Sequence, residues 1–249
     1  MTKIKIVTNT QSNDLYTISK EYYQHLGFDM VGIDGRHRYY GFKVFNDMIR
    51  DKQFDDTDWI IYVDEDCFIT DSEAMLDLLQ YQIDNNIHCC GVPDGGVISH
   101  RFHNPISINP FFMILNVREI RKKYNVDNVS KMRYGQDLDK FIPTHLNNKE
   151  KPHSDKLERI IHPSYQPYGV VYDDFEEAYK LFFWLLRNDY KIFYLDAYDY
   201  PQDDYTTVVK NHCGIDFCYH TWFARDWNDP SNQNRIMKIK EYCDSIKKI

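Results

Sequence analysis

Trp59-Ile60-Ile61-Tyr62-Val63-Asp64-Glu65-Asp66-Cys67-Phe68-Ile69 is the stretch from which the rest of this chain is read. Its first five residues are apolar or aromatic and rich in strand formers, which predicts a strand buried on both faces of a sheet. Three acids follow without a spacer, so they fall at the carboxyl end of a central strand, where open α/β sheets bind ligands. In an extended segment Asp64 and Asp66 share one side and Glu65 faces the other. Two carboxylates converging there repel each other, and a divalent cation with hard oxygen ligands is the usual relief.

Upstream, Lys-Ile-Lys-Ile-Val-Thr at 3–8 alternates and runs into the polar cluster Thr8-Asn9-Thr10, a first strand followed by a ligand-facing loop. A helix over 15–26 and a strand over 28–33, ended by Asp34-Gly35, complete a strand-helix-strand unit. A parallel pair with a right-handed crossover is the expected result. The unit lacks GxGxxG, so a phosphate there is held by something other than a glycine-rich turn. Arg36, His37, Arg38 and Lys43 form a basic patch after the second strand, read either as part of a nucleotide site or as a solvated helix start. Residues 39–50 read as the helix leading to Trp59.

Downstream, 72–86 has helical spacing with the apolar stripe Ala74, Met75, Leu78, Leu79 and Ile83. A short strand over 87–92 is broken by Asp94-Gly95-Gly96. Residues 99–117 open as a polar, His-rich loop and close in another buried strand. The polar, charged stretch 118–162 reads as a helix followed by a mobile insertion of the kind that carries acceptor specificity. Tyr172-Asp173-Asp174-Phe175 then precedes a helix over 176–187 and a strand over 191–195. At a helix N-terminus, Asp173 and Asp174 are explained in part by capping and dipole compensation.

This order of motifs resembles the nucleotide-sugar-dependent glycosyltransferases of the GT-A fold, whose Asp-x-Asp motif sits where Asp64-Glu65-Asp66 does. The resemblance implies an α/β fold: one GT-A, Rossmann-like domain over 1–249, with a mostly parallel sheet flanked by helices. Residues 1–98 form its nucleotide-sugar half, 99–230 its acceptor and catalytic half, and 231–249 a basic helix. It implies that Asp64, Asp66 and a C-terminal His220 hold Mn2+ or Mg2+, with His212 in reserve. The donor site then draws on Thr8, Asn9, Asp34, Arg36, Lys43, Asp64, Glu65, Asn109, Trp222 and Arg225, with His103 second to Asn109. The acidic pair before the helix is similar to the second acidic motif of inverting members, which makes Asp174 the catalytic base and Asp173 its alternative. The implied activity is metal-dependent, inverting transfer from a UDP-sugar to a glycan or lipid-linked acceptor hydroxyl, as in polysaccharide biosynthesis.

Two other classes stay open on the residues: a metal-dependent nucleotidyltransferase or phosphohydrolase, and a nucleotide-sugar or glycan-binding protein without turnover. A net charge of −8, from 30 basic and 38 acidic residues, argues against nucleic acid as the partner. The 20 Tyr, 15 Phe and 4 Trp supply core volume and flat surfaces on which sugars stack. Six cysteines without zinc-type spacing read as reduced thiols, and with no signal or membrane-spanning run this predicts a cytoplasmic protein. Residues 235–249 form a basic amphipathic pattern, read as peripheral membrane contact or as a helix docked on its own domain.

Overall fold

A computed structural model describes residues 2–36, 41–95, 97–98, 101, 103–141, 174 and 176–248. Strands β1 (Ile4–Thr10), β2 (Asp29–Asp34), β3 (Trp59–Val63), β5 (Cys89–Pro93), β6 (Ile108–Leu115) and β7 (Ile192–Tyr194) form one sheet in the order β2-β1-β3-β6-β5-β7. Every strand in it runs the same way except β6, which is antiparallel to both β3 and β5. The sheet is thus mostly parallel, as the sequence led us to expect. A smaller antiparallel sheet, order β4-β10-β9-β8, joins β4 (Cys67–Ile69), β8 (Ala197–Asp199), β9 (Thr207–Lys210) and β10 (Asp216–His220).

The first crossover forms because Ser12 caps α1 (Asn13–Ser19), its side chain accepting from the Leu15 amide. The predicted helix over 15–26 then breaks into two single 3-10 turns that end at Gly27, whose φ of 69° suits only glycine well. Strand β2 returns parallel to β1 with Thr10 opposite Asp34. The remaining helices are α2 (Phe42–Arg50), α3 (Ser72–Asp84), α4 (Val117–Arg121), α5 (Val126–Ser130), α6 (Tyr179–Arg187) and α7 (Pro230–Ile246).

All five residues of β3 are buried, and their alternation separates two cores. Trp59, Ile61 and Val63 face Leu15, Met75, Leu78, Val208 and Ile236, beneath α1, α3, the small sheet and α7. Ile60 and Tyr62 face Val44, Phe45, Met48, Leu181 and Phe182 on α2 and α6. Each such aliphatic or aromatic side chain contributes about 1.5–3 kcal/mol on burial, which fixes the strand register and with it the position of the acids that follow.

On α7 the docked alternative describes what is observed. Ile236, Ile239 and Cys243 are buried, while Arg235 pairs with Asp203, Lys240 and Lys247 with Asp244, and Lys248 with Asp71. These cations meet acids of their own chain, so nothing in this pattern speaks for a membrane surface. Among the described residues no helix is long and apolar enough to cross a membrane. Of the stretch 118–162, read as a helix and an insertion, 118–141 carry α4, α5 and a 3-10 stretch at Gln136–Phe141, and 142–162 lie outside the described residues.

Candidate active site

Asp64, Glu65 and Asp66 are the joint between the two sheets. The Asp64 amide donates to the Phe111 carbonyl at 2.8 Å, and a turn closes with the Cys67 amide on the Asp64 carbonyl at 3.1 Å. The chain leaves the large sheet there and enters the small one, where β4 pairs antiparallel with β10 and Cys67 lies opposite His220. The Thr221 amide and hydroxyl both donate to the Asp66 carbonyl, at 3.0 and 3.2 Å. That register carries an imidazole from residue 220 to the Asp66 carboxylate, with His220 Nε2 3.1 Å from Asp66 Oδ1. Both side chains are almost wholly buried. The His220 ring stacks on Phe111 at 4.2 Å between centroids and leans on Trp222 at 4.3 Å, so its orientation is fixed by packing.

The electrostatics of the two aspartates diverge. Burial, then the charges of Asp66, Glu65 and Glu176, push the Asp64 carboxyl well above the ordinary range, although the Tyr62 hydroxyl works the other way. Burial also works to raise Asp66, but the neighbouring His220, its hydrogen bond and the Ala224 backbone outweigh it, and the Asp66 carboxyl ends below its ordinary value.

Donor atoms of Asp66, Cys67 and His220 lie within 4.8 Å of one another, a cluster able to hold a cation. His220 Nδ1 is buried without a hydrogen-bond partner. Cys67 is the weakest of the three as a ligand for a hard cation. Burial first, then Cys218 and the nearby aspartates, raises its thiol well above the usual range, and its Sγ is 3.4 Å from the Phe111 carbonyl. A carboxylate oxygen is a hard donor and an imidazole nitrogen a borderline one, so the pair fits a divalent ion and suits Mn2+ better than Mg2+. Asp64 stands outside this tight cluster.

A cleft of about 310 Å³ opens over the pair, within the range of small-ligand sites. Of the residues expected there, Asn9, Asp64, Glu65, Asp66, Asn109, His220, Trp222 and Arg225 all line it. Glu65 is committed structurally, because its Oε2 accepts from the Thr10 hydroxyl and from the Gln11 and Ser12 amides at 2.9 and 2.8 Å, tying down the loop after β1.

The structure does not bring the others to the cleft. Thr8 faces the opposite side of β1, buried with its hydroxyl 3.2 Å from that of Tyr23. Arg36 and Asp34 form an exposed bidentate pair at 2.8 and 2.7 Å, so this part of the basic patch is answered locally. Lys43 lies on the exposed side of α2, whereas Phe45 of the same helix lines the cleft. His103 is absent from the lining, and His212 stacks on Tyr81 at 4.3 Å outside the cleft. Asp174 accepts from the Tyr134 amide at 2.7 Å near Arg133 and is not a lining residue. Asp173, His37 and Arg38 lie outside the described residues.

The acid that reaches the cleft from the start of α6 is Glu176. Its carboxylate is 3.3 Å from Arg101 Nη2, and Arg101 is held in turn by two 2.6 Å bonds to Asp94. Asp94 is fully buried and also accepts from Asn109 and the Tyr179 hydroxyl. Asp94 follows β5 as Asp64 follows β3, so the same strand-end logic points to it. The sequence reading saw only the turn residues Gly95 and Gly96 beside it. At Gly95 an added Cβ would lie 1.9 Å from the His103 carbonyl, so that close backbone approach sets the path of the loop carrying Arg101.

Residues 221–224 form a strap over Asp66, and Arg235 braces it from α7. Its guanidinium donates to the carbonyls of Thr221 and Trp222, the latter at 2.8 Å, while Nη1 pairs with Asp203 at 2.6 Å. Replacing Arg235 by Met removes the charged partner of Asp203, which keeps the Thr206 hydroxyl, and removes the guanidinium donors to two strap carbonyls. We expect a loss of about 2–4 kcal/mol in urea unfolding. A loss below about 0.5 kcal/mol would show that the brace contributes little.

No protein-family model matches the sequence, and no curated protein matches it. Among solved structures, it is similar to a glycosyltransferase involved in the glycosylation of the major capsid of PBCV-1, at 12% identity over 69% of this chain and 82% of the other, with a TM-score of 0.35. A mouse xyloside xylosyltransferase 1 in its apo form matches at 9% identity over 78% and 85% of the two chains, with a TM-score of 0.37. A Drosophila β-1,4-galactosyltransferase 7 mutant, in complex with manganese, UDP-Gal and xylobiose, matches at 13% identity over 57% and 60%, with a TM-score of 0.33. Glycosyltransferases are thus among its structural neighbours, but at such scores the likeness decides nothing by itself.

Proposed function

We propose that this chain is a glycosyltransferase of the GT-A type, moving a sugar from a nucleoside diphosphate donor, a UDP-sugar, to an acceptor hydroxyl on a glycan or lipid-linked glycan. The observation that carries this reading is the meeting of Asp66 and His220 at 3.1 Å on a strand-end cleft, two residues far apart in sequence whose donor atoms can share one divalent ion. Cleft residues come from both proposed halves of the domain, Asn9, Asp64 and Asp66 from the first and Arg101, Asn109, Glu176 and His220 from the second.

Asp66 and His220 would hold Mn2+ or Mg2+ directly, and Asp64 would serve the ion through water or bind the donor's ribose. When bound, the cation supplies Lewis-acid stabilisation of the charge that develops on the departing diphosphate. Arg225, exposed at the cleft, adds a guanidinium suited to phosphate oxygens. Asn109 offers a carboxamide toward the donor sugar, held in place through Asp94. Glu176 takes the proton of the attacking acceptor hydroxyl, in place of the Asp174 suggested by the sequence. Arg101, 3.3 Å away, positions the Glu176 carboxylate at the cleft. If the acceptor oxygen then bonds to the anomeric carbon from the face opposite the departing diphosphate, that centre is inverted.

A thermal-shift titration of the full chain with nucleoside diphosphates, with and without Mn2+, tests the donor half of this reading. A ligand at 100 times its Kd adds about 2.7 kcal/mol, or roughly 5–10 °C for a chain of this size. The shift should need the metal and be largest for UDP. Diphosphate release should require both donor and acceptor. Release of pyrophosphate or inorganic phosphate instead would establish the nucleotidyltransferase or phosphohydrolase alternative, and binding without turnover the non-catalytic one.

A further inference from the structure

Two exposed aromatic rings meet beside the cleft, one of them among its lining residues. Phe223 lines the cleft and is 38% exposed, and Tyr205 is 41% exposed. Their rings meet edge to face, 5.2 Å between centroids and 80° apart. Phe223 is the second of two consecutive residues with positive φ, Trp222 at 45° and Phe223 at 65°. Bulky side chains rarely occupy this left-handed region, and a turn alone is served without strain by glycine. The strained backbone is held from α7, by Arg235 on the Thr221 and Trp222 carbonyls and by Asn232 Nδ2 on the Phe223 carbonyl at 2.9 Å. Arg235 also donates to the Tyr205 carbonyl at 3.3 Å and lies 5.9 Å from the centre of the Tyr205 ring. Arg235 thus holds Tyr205 and the two residues before Phe223, Asn232 holds Phe223 itself, and strain is retained where it keeps an aromatic face at the entrance.

We infer that Phe223 and Tyr205 form a stacking platform for a sugar ring of the acceptor. The inference rests on the glycosyl-transfer reading above and narrows its acceptor to a saccharide. A pyranose presents a flat face of C–H groups to aromatic carbon and a rim of hydroxyls to polar neighbours. The surroundings offer both kinds of surface. Arg225, exposed, and the carboxylates of Asp64 and Glu176 line the same cleft as Phe223. An acyl chain would need a continuous apolar groove, and two edge-to-face rings beside a cleft lined by Asp64, Glu176 and Arg225 do not supply one. The platform thus selects a sugar and leaves the hydroxyl to be activated deeper in the cleft.

The test is a titration of the full chain with free glucose, galactose, mannose, xylose and N-acetylglucosamine and their β-linked disaccharides, followed by saturation-transfer NMR and calorimetry. It is run once with UDP and Mn2+ present and once without nucleotide. At least one saccharide should bind the unsubstituted chain. Phe223→Ala and Tyr205→Ala should weaken it about tenfold or more, Phe223→Trp should retain it, and UDP affinity should change less than twofold in all three. Phe223→Gly should lose the saccharide while holding or raising Tm, because glycine relieves the left-handed backbone. A ring that is merely structural would lower Tm when removed. Absence of saccharide binding in both arms, or alanine variants that bind as the unsubstituted chain does, would overturn the platform. Failure of UDP and Mn2+ to bind would instead count against the donor site, and the nucleotide-free arm would still decide the platform.

Discussion

Asp66→Ala should lower sugar transfer by about a thousandfold or more and abolish its response to Mn2+. A cation contributes several kcal/mol to a transition state in which a diphosphate departs, and each 1.4 kcal/mol or so is a factor of ten. Asp66 and His220 are the two donors closest together at the site, so losing either removes half of the direct attachment. Asp66→Asn is the informative partner to the alanine variant. The carbonyl that accepts from Thr221 is backbone and survives both changes, so the strap stays attached while the ligand charge is gone. His220→Ala should likewise erase the metal response, at an added cost in stability because Phe111 loses the ring stacked on it and buried Asp66 loses its partner. Measuring initial rates across a Mn2+ titration, alongside the UDP thermal shift, separates these effects. Metal-stimulated transfer at normal rates in Asp66→Asn would remove the proposed ion from this place.

That such an experiment can be framed owes much to what the chain displays in one dimension. Five buried strand formers followed by three acids have few alternatives to a central strand ending in a site, and β3 is buried on both faces with Asp64 and Asp66 beyond it. The joining of Asp66 to His220 could be expected only through the family resemblance, because the small sheet that joins them is made of strands of three to five residues, too short for periodicity to register. Parity explains the split between Thr8 and Asn9, since adjacent strand residues point to opposite sides and only packing tells which side is open. Helical phase explains Lys43, exposed two positions before the cleft residue Phe45. Nor is the reversal of β6 visible in its own apolar run, which reads the same in either direction.

The choice between acids at the second motif turns on the same kind of local geometry. Residues 173–177 read Asp-Asp-Phe-Glu-Glu, four carboxylates in five positions, and the sequence placed the helix start at 176 when α6 begins at Tyr179. Glu176 thus lies in the turn ahead of the helix and lines the cleft, whereas Asp174 does not. Glu176→Gln should reduce transfer by about a hundred to ten thousandfold, the usual contribution of a positioned general base. Donor and metal binding should persist, because the Asp66 and His220 pair is untouched. The fold should tolerate the change as well. Glu176 is about one-third exposed and its contact with Arg101 is 3.3 Å, so the ion pair contributes at most about 1 kcal/mol. Arg101 keeps its two 2.6 Å bonds to Asp94 and stays where it is. Asp174→Asn should leave transfer within a few fold of normal, since that carboxylate serves the Tyr134 amide and lies near Arg133. Single-turnover rates with saturating donor, compared with UDP thermal shifts for the same proteins, decide between the two acids. Normal transfer in Glu176→Gln together with its loss in Asp174→Asn would return the role of base to Asp174 and require that side chain to swing into the cleft when the acceptor binds.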